Sequence, residues 1–273
     1  MRVALYGLGR MGAHHLRHLT ELGHEVVAVD AARGHRGDPA GVRAVVVATP
    51  TASHLAVATP WLERGVPVLV EKPLAGSLVE GSELARFETC SVGHVERFNP
   101  AFVALGSVDA RFVQAERLAP WADRGLDVDV VLDLMIHDLD LFWSLTRSPV
   151  REVRADGLAV RSGRFDIVHA RVETVGGHVG VFTASRISRR PSRTLRVFSP
   201  GGYASLDLRA HTGVRLDDTL AERPLEVSPN DALRSELSAF IDAVGGGAPF
   251  PVPASDALPA LAMAEAIRDA CVR

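Results

Sequence analysis

Three ionisable residues, Asp133, His137 and Asp140, recur at i, i+4 and i+7 in the run Val130-Val131-Leu132-Asp133-Leu134-Met135-Ile136-His137-Asp138-Leu139-Asp140. In a helix that spacing lines one stripe. Most of the other side is apolar: Leu132, Met135, Ile136, Leu139, Phe142 and Trp143. Such a helix can bury its apolar faces and still aim an Asp and a His into a cleft. Histidine titrates near neutrality and suits proton removal from an alcohol. A neighbouring carboxylate can orient the ring and stabilise its protonated form. Two other uses fit the same residues. One is a surface ion pair on a helix. The other is zinc ligation by Asp133 and His137, for which no second histidine or thiol lies nearby in sequence.

A second group of residues suits a dinucleotide. Gly7-Leu8-Gly9-Arg10-Met11-Gly12 is a G-x-G-x-x-G after a short apolar run and before a helical stretch. The first glycine allows the tight turn, the second lets a pyrophosphate approach the backbone, and the third lets helix and strand pack closely. The helix N-terminus then offers N–H groups to the phosphates. Asp30 ends the next apolar run, where an acid accepts from ribose hydroxyls and repels a 2′-phosphate. That favours NAD over NADP, while Arg33 and Arg36 leave NADP open. Glu71-Lys72-Pro73 follows the run 66–70. Ligands of parallel sheets bind beyond the carboxyl ends of the strands, so Lys72 points toward the nicotinamide end and can hydrogen-bond a substrate hydroxyl. Each feature has a plainer reading, as a chance glycine turn or a surface lysine.

Two textures supply the elements that must position these groups. Up to about residue 95, apolar runs at 3–6, 26–29, 44–48 and 66–70 alternate with helix-like stretches at 11–22 and 53–64. This predicts an α/β layer with a parallel sheet covered on both faces. After about residue 108, the segments 111–118, 151–160, 165–175, 178–187, 193–198 and 203–208 alternate apolar with polar residues, as half-buried strands do. Helix-like segments at 127–145, 232–244 and 256–272 accompany them. The expected organisation is therefore a Rossmann-like domain over 1–95 and an α+β domain with an open, mostly antiparallel sheet over 96–273. The last helix is able to pack back on the first domain. Only residues 31–43 separate Asp30 from the next strand, and a crossover alone takes a dozen or more. The first sheet should lack a strand and helix at that edge, opening the adenine pocket and weakening cofactor affinity.

Composition narrows the function classes. Hydrophobic residues make up 47% and charged residues 23%, which suits a globular chain rather than a disordered one. The formal net charge of -3 gives no global basic bias for nucleic acid. Two cysteines, Cys90 and Cys271, make no disulfide framework. No signal-peptide pattern and no apolar run of about 18 residues is present. The expectation is a cytoplasmic protein with a small-molecule substrate and neither nucleic-acid nor membrane partners.

Taken together, the glycine turn with Asp30, the run Val47-Ala48-Thr49-Pro50-Thr51-Ala52-Ser53-His54, Glu71-Lys72-Pro73 and the Asp133–His137 pair resemble the Gfo/Idh/MocA oxidoreductase family. The resemblance spans nearly the whole chain. It implies a Rossmann domain, a C-terminal domain on an open antiparallel sheet, and NAD(P)-dependent chemistry on sugars, cyclitols and similar alcohols. Three narrower runs, 93–100, 133–138 and 185–188 followed by 203–208, resemble a branch whose members are UDP-N-acetylglucosamine 3-dehydrogenases. By position, the resemblance implies cofactor contacts from Gly7, Gly9, Arg10, Met11, Gly12, Asp30, Thr49, Pro50, His54, Glu71 and Lys72. It makes His137 the catalytic histidine, Asp133 its partner and Lys72 the group on the reacting hydroxyl. The shortened 31–43 segment and a trimmed 73–93 stretch depart from the family.

Arg97 and Asn99, at the expected domain junction, either touch substrate or pin the hinge. Of the arginines at 186, 189, 190, 193 and 196, Arg186 is the candidate for a substrate pyrophosphate. His14 and His15 suit packing or surface better than ligand binding. A partly apolar open sheet suits a homo-oligomer. The expected activity is hydride transfer between nicotinamide and a carbinol carbon of a sugar or sugar nucleotide, with C3 of UDP-N-acetylglucosamine in view. A non-catalytic NAD-binding sensor or regulatory protein and an NADPH-dependent carbonyl or imine reductase are the alternatives.

Overall fold

A computed structural model describes residues 1–123 and 125–271. Val272, the expected end of the closing helix, lies outside the described residues, as do Arg273 and Arg124. In chain order the first elements are β1 (Arg2–Tyr6), α1 (Arg10–Glu21), β2 (Glu25–Asp30), β3 (His35–Arg36), β4 (Ala44–Val47), α2 (His54–Leu62), β5 (Val68–Glu71), α3 (Leu78–Leu84) and β6 (Cys90–Gly93). They are followed by α4 (Pro100–Leu105), β7 (Phe112–Leu118), α5 (Ile136–Thr146), β8 (Val150–Leu158), β9 (Ile167–Thr174), β10 (Val179–Ser185) and β11 (Ser192–Ser199). The chain closes with β12 (Gly202–Asp207), β13 (Thr212–Leu216), β14 (Glu222–Pro224), α6 (Ala232–Val244) and α7 (Ala254–Cys271).

The first compact unit comprises Met1–Val95 and Asp231–Leu261. Its sheet has the order β3-β2-β1-β4-β5-β6, parallel except at β3. Every residue of β4 and β5 is buried, as a strand covered on both faces requires. The expected domain over 96–273 needs correction, because Asp231–Leu261 belongs to this first unit. Leu237, Phe240 and Ile241 of α6 join Val3, Leu5 and Leu19 in one core cluster. Asp231 caps α6 by accepting from the Leu233 and Arg234 N–H groups, and its Oδ2 lies 3.3 Å from His18 of α1.

The short 31–43 connection replaces a helix, strand and helix. A turn of 3-10 helix (Ala31–Arg33) leads into the two-residue β3, which pairs antiparallel with β2 where a third parallel strand would stand. The chain then hugs β2 and β1. The Gly37 N–H donates to the Ala28 carbonyl, and the Arg2 guanidinium donates to the Asp38 and Ala40 carbonyls. No crossover helix lies between β2 and β4. A cavity of about 580 Å³ is bounded instead by Tyr6, residues 38–41 and the 56–64 side of α2 and its following turn.

The second unit comprises Glu96–Asn230 and the chain from Ala262. Its eight-stranded sheet runs β14-β13-β12-β11-β7-β10-β9-β8, antiparallel except where β10 pairs with β7. Alternating burial along β7 and β9 turns one face to the core and the other outward. Helix α5 packs against the sheet with Ile136, Leu139, Leu141 and Phe142 all buried.

Candidate active site

In the first unit the glycine turn has the shape a dinucleotide needs. Gly7 has φ +87°, and a Cβ there would lie 2.5 Å from the Ala48 carbonyl oxygen. A Cβ on Gly12 would fall 1.9 Å from the Gly7 oxygen, so helix and turn touch directly. A Cβ on Gly9 would meet nothing within 4 Å, which leaves open space at the N-terminus of α1. Gly9 gives that helix no side-chain cap. An uncapped N-terminus facing open space suits phosphate oxygens. Arg10 and Met11 form the first turn beside it.

Asp30 accepts from the Leu8 N–H at 2.7 Å and from the Arg33 N–H at 3.2 Å. The Leu8 bond is the main reason its carboxyl is held below the usual carboxylate range. It is therefore an ionised acceptor, as a ribose-binding acid must be. These features fit NAD.

Thr49 and Pro50 follow β4. The Thr49 hydroxyl accepts from Ser53, and Pro50 is exposed. Two of the expected cofactor residues make bonds within the protein. His54 is 1% exposed; Nε2 faces the Thr49 carbonyl at 2.9 Å and Nδ1 the Pro73 carbonyl at 3.0 Å. It ties the Thr49-Pro50 turn to the chain after Lys72. Glu71 is buried, with Oε1 2.6 Å from His15 Nε2 and Oε2 accepting the Lys72 N–H at 3.1 Å. Burial works to raise its pKa, but the His15 bond and the neighbouring positive charge outweigh that and hold it low. Lys72 is half-buried at the end of β5, and the Lys72–Pro73 bond is cis. It is also the only lysine in the chain.

In the second unit Asp133 and His137 are half-buried, His137 between the buried Ile136 and Asp138. The expected single helix over 127–145 starts later and with a wider turn. Val131–Met135 is π-helical and continues into α5. Such turns occur often at functional sites, and this one carries Asp133. Asp129 starts it by accepting from the Val131 and Leu132 N–H groups, and Arg268 of α7 holds the other Asp129 oxygen. Asp140, expected on the same stripe, is instead fully buried and gripped by Arg97 at 2.6 and 2.8 Å.

Three expected substrate residues hold this framework. Arg97 is the fork on Asp140. Asn99 is buried and caps α4 through the Ala101 N–H, while its amide donates to Glu96 and the Leu208 carbonyl. Arg186 is 4% exposed and donates to the Gly125 and Val128 carbonyls. Gly125 in turn abuts Asp133, since a Cβ there would lie 3.0 Å from Oδ2. In this structure these side chains spend bonds on protein carbonyls and carboxylates. Residue types alone could not show that, because an arginine serves a carbonyl and a phosphate equally well.

Sequence reasoning missed Arg117, which lies buried between Glu96 at 2.7 Å and both oxygens of Asp138 at 2.7 and 3.0 Å. It also missed the bond of His15. The available signal was position: His15 falls one turn after Gly12, on the side of α1 that meets the sheet. Among the described residues, no group of three or more His, Cys, Asp or Glu side chains could hold a metal ion. Among the described residues, no helix is long and apolar enough to cross a membrane.

A Rossmann-type domain with a glycine turn shaped for a dinucleotide, in one chain with a helix that carries the half-buried Asp133 and His137, suits an NAD-dependent dehydrogenase. Comparison with known proteins agrees. The profile of an oxidoreductase family with an NAD-binding Rossmann fold matches residues 36–91, and the GFO/IDH/MocA C-terminal domain matches residues 104–205. A UDP-N-acetylglucosamine 3-dehydrogenase of Acidithiobacillus ferrooxidans is 35% identical over 233 residues, covering 77% of this chain and 72% of that protein. An inositol 2-dehydrogenase of Paenarthrobacter aurescens is 30% identical over 315 aligned positions, covering 98% and 95%. A solved structure of the Acidithiobacillus enzyme superposes with a TM-score of 0.91 at 32% identity, covering 99% of this chain and 97% of that one. The chain belongs to the GFO/IDH/MocA family of oxidoreductases.

Proposed function

We propose that the protein transfers hydride between NAD and a ring carbinol of a sugar nucleotide, at C3 of UDP-N-acetylglucosamine. The observation that carries the site assignment is Lys72. Every other Lys/Arg position in the chain is arginine, yet the residue after the buried Glu71 is lysine. Arginine keeps its proton throughout the working pH range. A lysine amine is a compact donor that can also release its proton. In this reading Lys72 donates to the reacting hydroxyl oxygen. His137 removes the hydroxyl proton, and Asp133 orients the imidazole and stabilises its charge. The carbinol hydrogen leaves as hydride, for which bound NAD supplies the acceptor.

The choice of substrate rests on the 35% identity to a UDP-N-acetylglucosamine 3-dehydrogenase. A cyclitol is the second reading. The inositol 2-dehydrogenase relative matches nearly full length, and Arg186 is buried with bonds to the Gly125 and Val128 carbonyls. Turnover of UDP-N-acetylglucosamine beside myo-inositol, each with NAD and NADP, separates the two. Activity on myo-inositol alone reverses the assignment. Activity on neither, with no NADH binding by calorimetry, removes the dehydrogenase reading.

We place the protein in the cytoplasm as a homo-oligomer joined through the open sheet. Phe112, Phe198 and Tyr203 form a ring cluster across β7, β11 and β12, with Phe112 and Phe198 exposed. A monomeric mass by light scattering at micromolar concentration rejects the oligomer.

A further inference from the structure

The buried His15–Glu71 pair has no part in the mechanism above. His15 is fully buried on α1, the helix whose N-terminus suits the cofactor phosphates. Its Nε2 meets one Glu71 oxygen at 2.6 Å, and the other oxygen accepts the backbone N–H of Lys72 at 3.1 Å. Glu71 lies against the bare backbone of Gly93. It is paired with Gly93 in the sheet, and a Cβ on Gly93 would sit 3.4 Å from the Glu71 Cα and Oε2. One carboxylate therefore spans two groups: the imidazole on the glycine-turn helix and the peptide that starts Lys72. A purely packing histidine would not require a carboxylate buried opposite it, because burying a charge is costly unless it is paired.

We infer that His15 is a positioning residue for Lys72, acting through Glu71, so that the helix facing the cofactor also fixes the amine facing the substrate. This rests on the dehydrogenase reading for its purpose but not for its test. Because Lys72 is the only lysine, reductive ¹³C-methylation of the folded protein labels just two amines, Lys72 and the N-terminus. The Lys72 methyl signal then reports its surroundings at fixed pH, and the N-terminal signal is an internal control.

His15→Leu removes the bond. His15→Gln keeps an amide nitrogen close to the place of Nε2. The expected result is a displaced or broadened Lys72 signal in His15→Leu, restoration in His15→Gln, and an unmoved N-terminal signal in both. Where turnover is measurable, kcat falls at least tenfold in His15→Leu with NADH affinity within about threefold. If His15→Leu strands the buried carboxylate and does not fold, His15→Asn, polar but too short to reach Glu71, gives the same readout. A Lys72 signal unchanged in a folded variant that lacks the bond overturns the proposal. Absence of all turnover in the wild type strikes the dehydrogenase reading and leaves the methyl signals to decide this one.

Discussion

His137 carries the sharpest prediction at the scale of single residues. It is half-buried on a helix whose neighbouring residues are locked, so its removal should cost chemistry rather than folding. General bases contribute roughly 10²–10⁴-fold, and His137→Ala should lower kcat by at least about tenfold to a hundredfold. Thermal melting and NADH titration should barely change. Unchanged turnover removes His137 from the mechanism. Lys72→Arg keeps the charge but substitutes a wide fork that holds its proton. We expect a loss of kcat of about tenfold or more, measured beside an unchanged NADH affinity. Lys72, Asp133 and His137 stand out in the sequence because each has an unusual type at a meaningful spacing. The roles of Arg97, Asn99 and Arg186 were not legible there, since they depend on which carbonyl or carboxylate lies opposite.

Two features of the second unit decide how rigid its elements are. Arg117 is buried between Glu96 and Asp138, and the latter stands next to His137. Removing one member of a buried ionic group typically costs 3–5 kcal/mol, whereas replacing the whole group with apolar residues is often neutral. Arg117→Met should therefore lower the urea-unfolding free energy by about 3–5 kcal/mol. The triple variant Glu96→Leu, Arg117→Met and Asp138→Leu should recover most of that loss. The second feature is the turn joining β8 to β9. Asp166 is fully buried and accepts from the Val160, Arg161 and Ser162 N–H groups and the Ser162 hydroxyl. Burial favours the neutral acid, but these bonds win and bring its pKa down to about 2. A lowered carboxyl pKa stabilises the fold fully above the ordinary value near 4 and is lost as pH falls from there through about 2. Asp166→Asn should melt several degrees below wild type at pH 7. The gap should narrow steadily between about pH 4 and 2, and a constant gap would contradict the assignment. The half-buried strands here were legible from their two-residue period. The π-helical turn was not, since no residue in 131–135 marks a wider turn.

The whole chain divides in a way that linear order hides. Residues 1–95 carry the complete glycine turn, yet Val3, Leu5 and Leu19 share their core with Leu237, Phe240 and Ile241. A fragment of residues 1–95 should expose that surface and fail to melt cooperatively by circular dichroism. Joining residues 231–261 to it by a flexible linker should restore a transition. The short 31–43 connection places the two-residue β3 beside Asp30 where a helix, strand and helix would stand. Less enclosure for the adenine end implies weaker binding, so the NADH Kd should lie in the micromolar range or above, and Asp30 should make NADPH weaker still. Calorimetric titration of both cofactors checks this, and NADPH binding tighter than NADH would transfer the preference to Arg33 and Arg36.

By itself the sequence determined the oxidoreductase family and the two kinds of sheet. Both depend on local facts: glycines at fixed steps, an acid ending a strand, a histidine one turn from an aspartate, and a two-residue period. Tertiary structure alone decided where 231–261 packs, which arginines are locked, and that His15 grips Glu71. The physical reason is common to all three. An amphipathic helix, a guanidinium or an imidazole announces that it needs a partner, but hydrophobic and ionic attraction do not depend on sequence distance. The partner is chosen only when the chain has folded and brought one within reach.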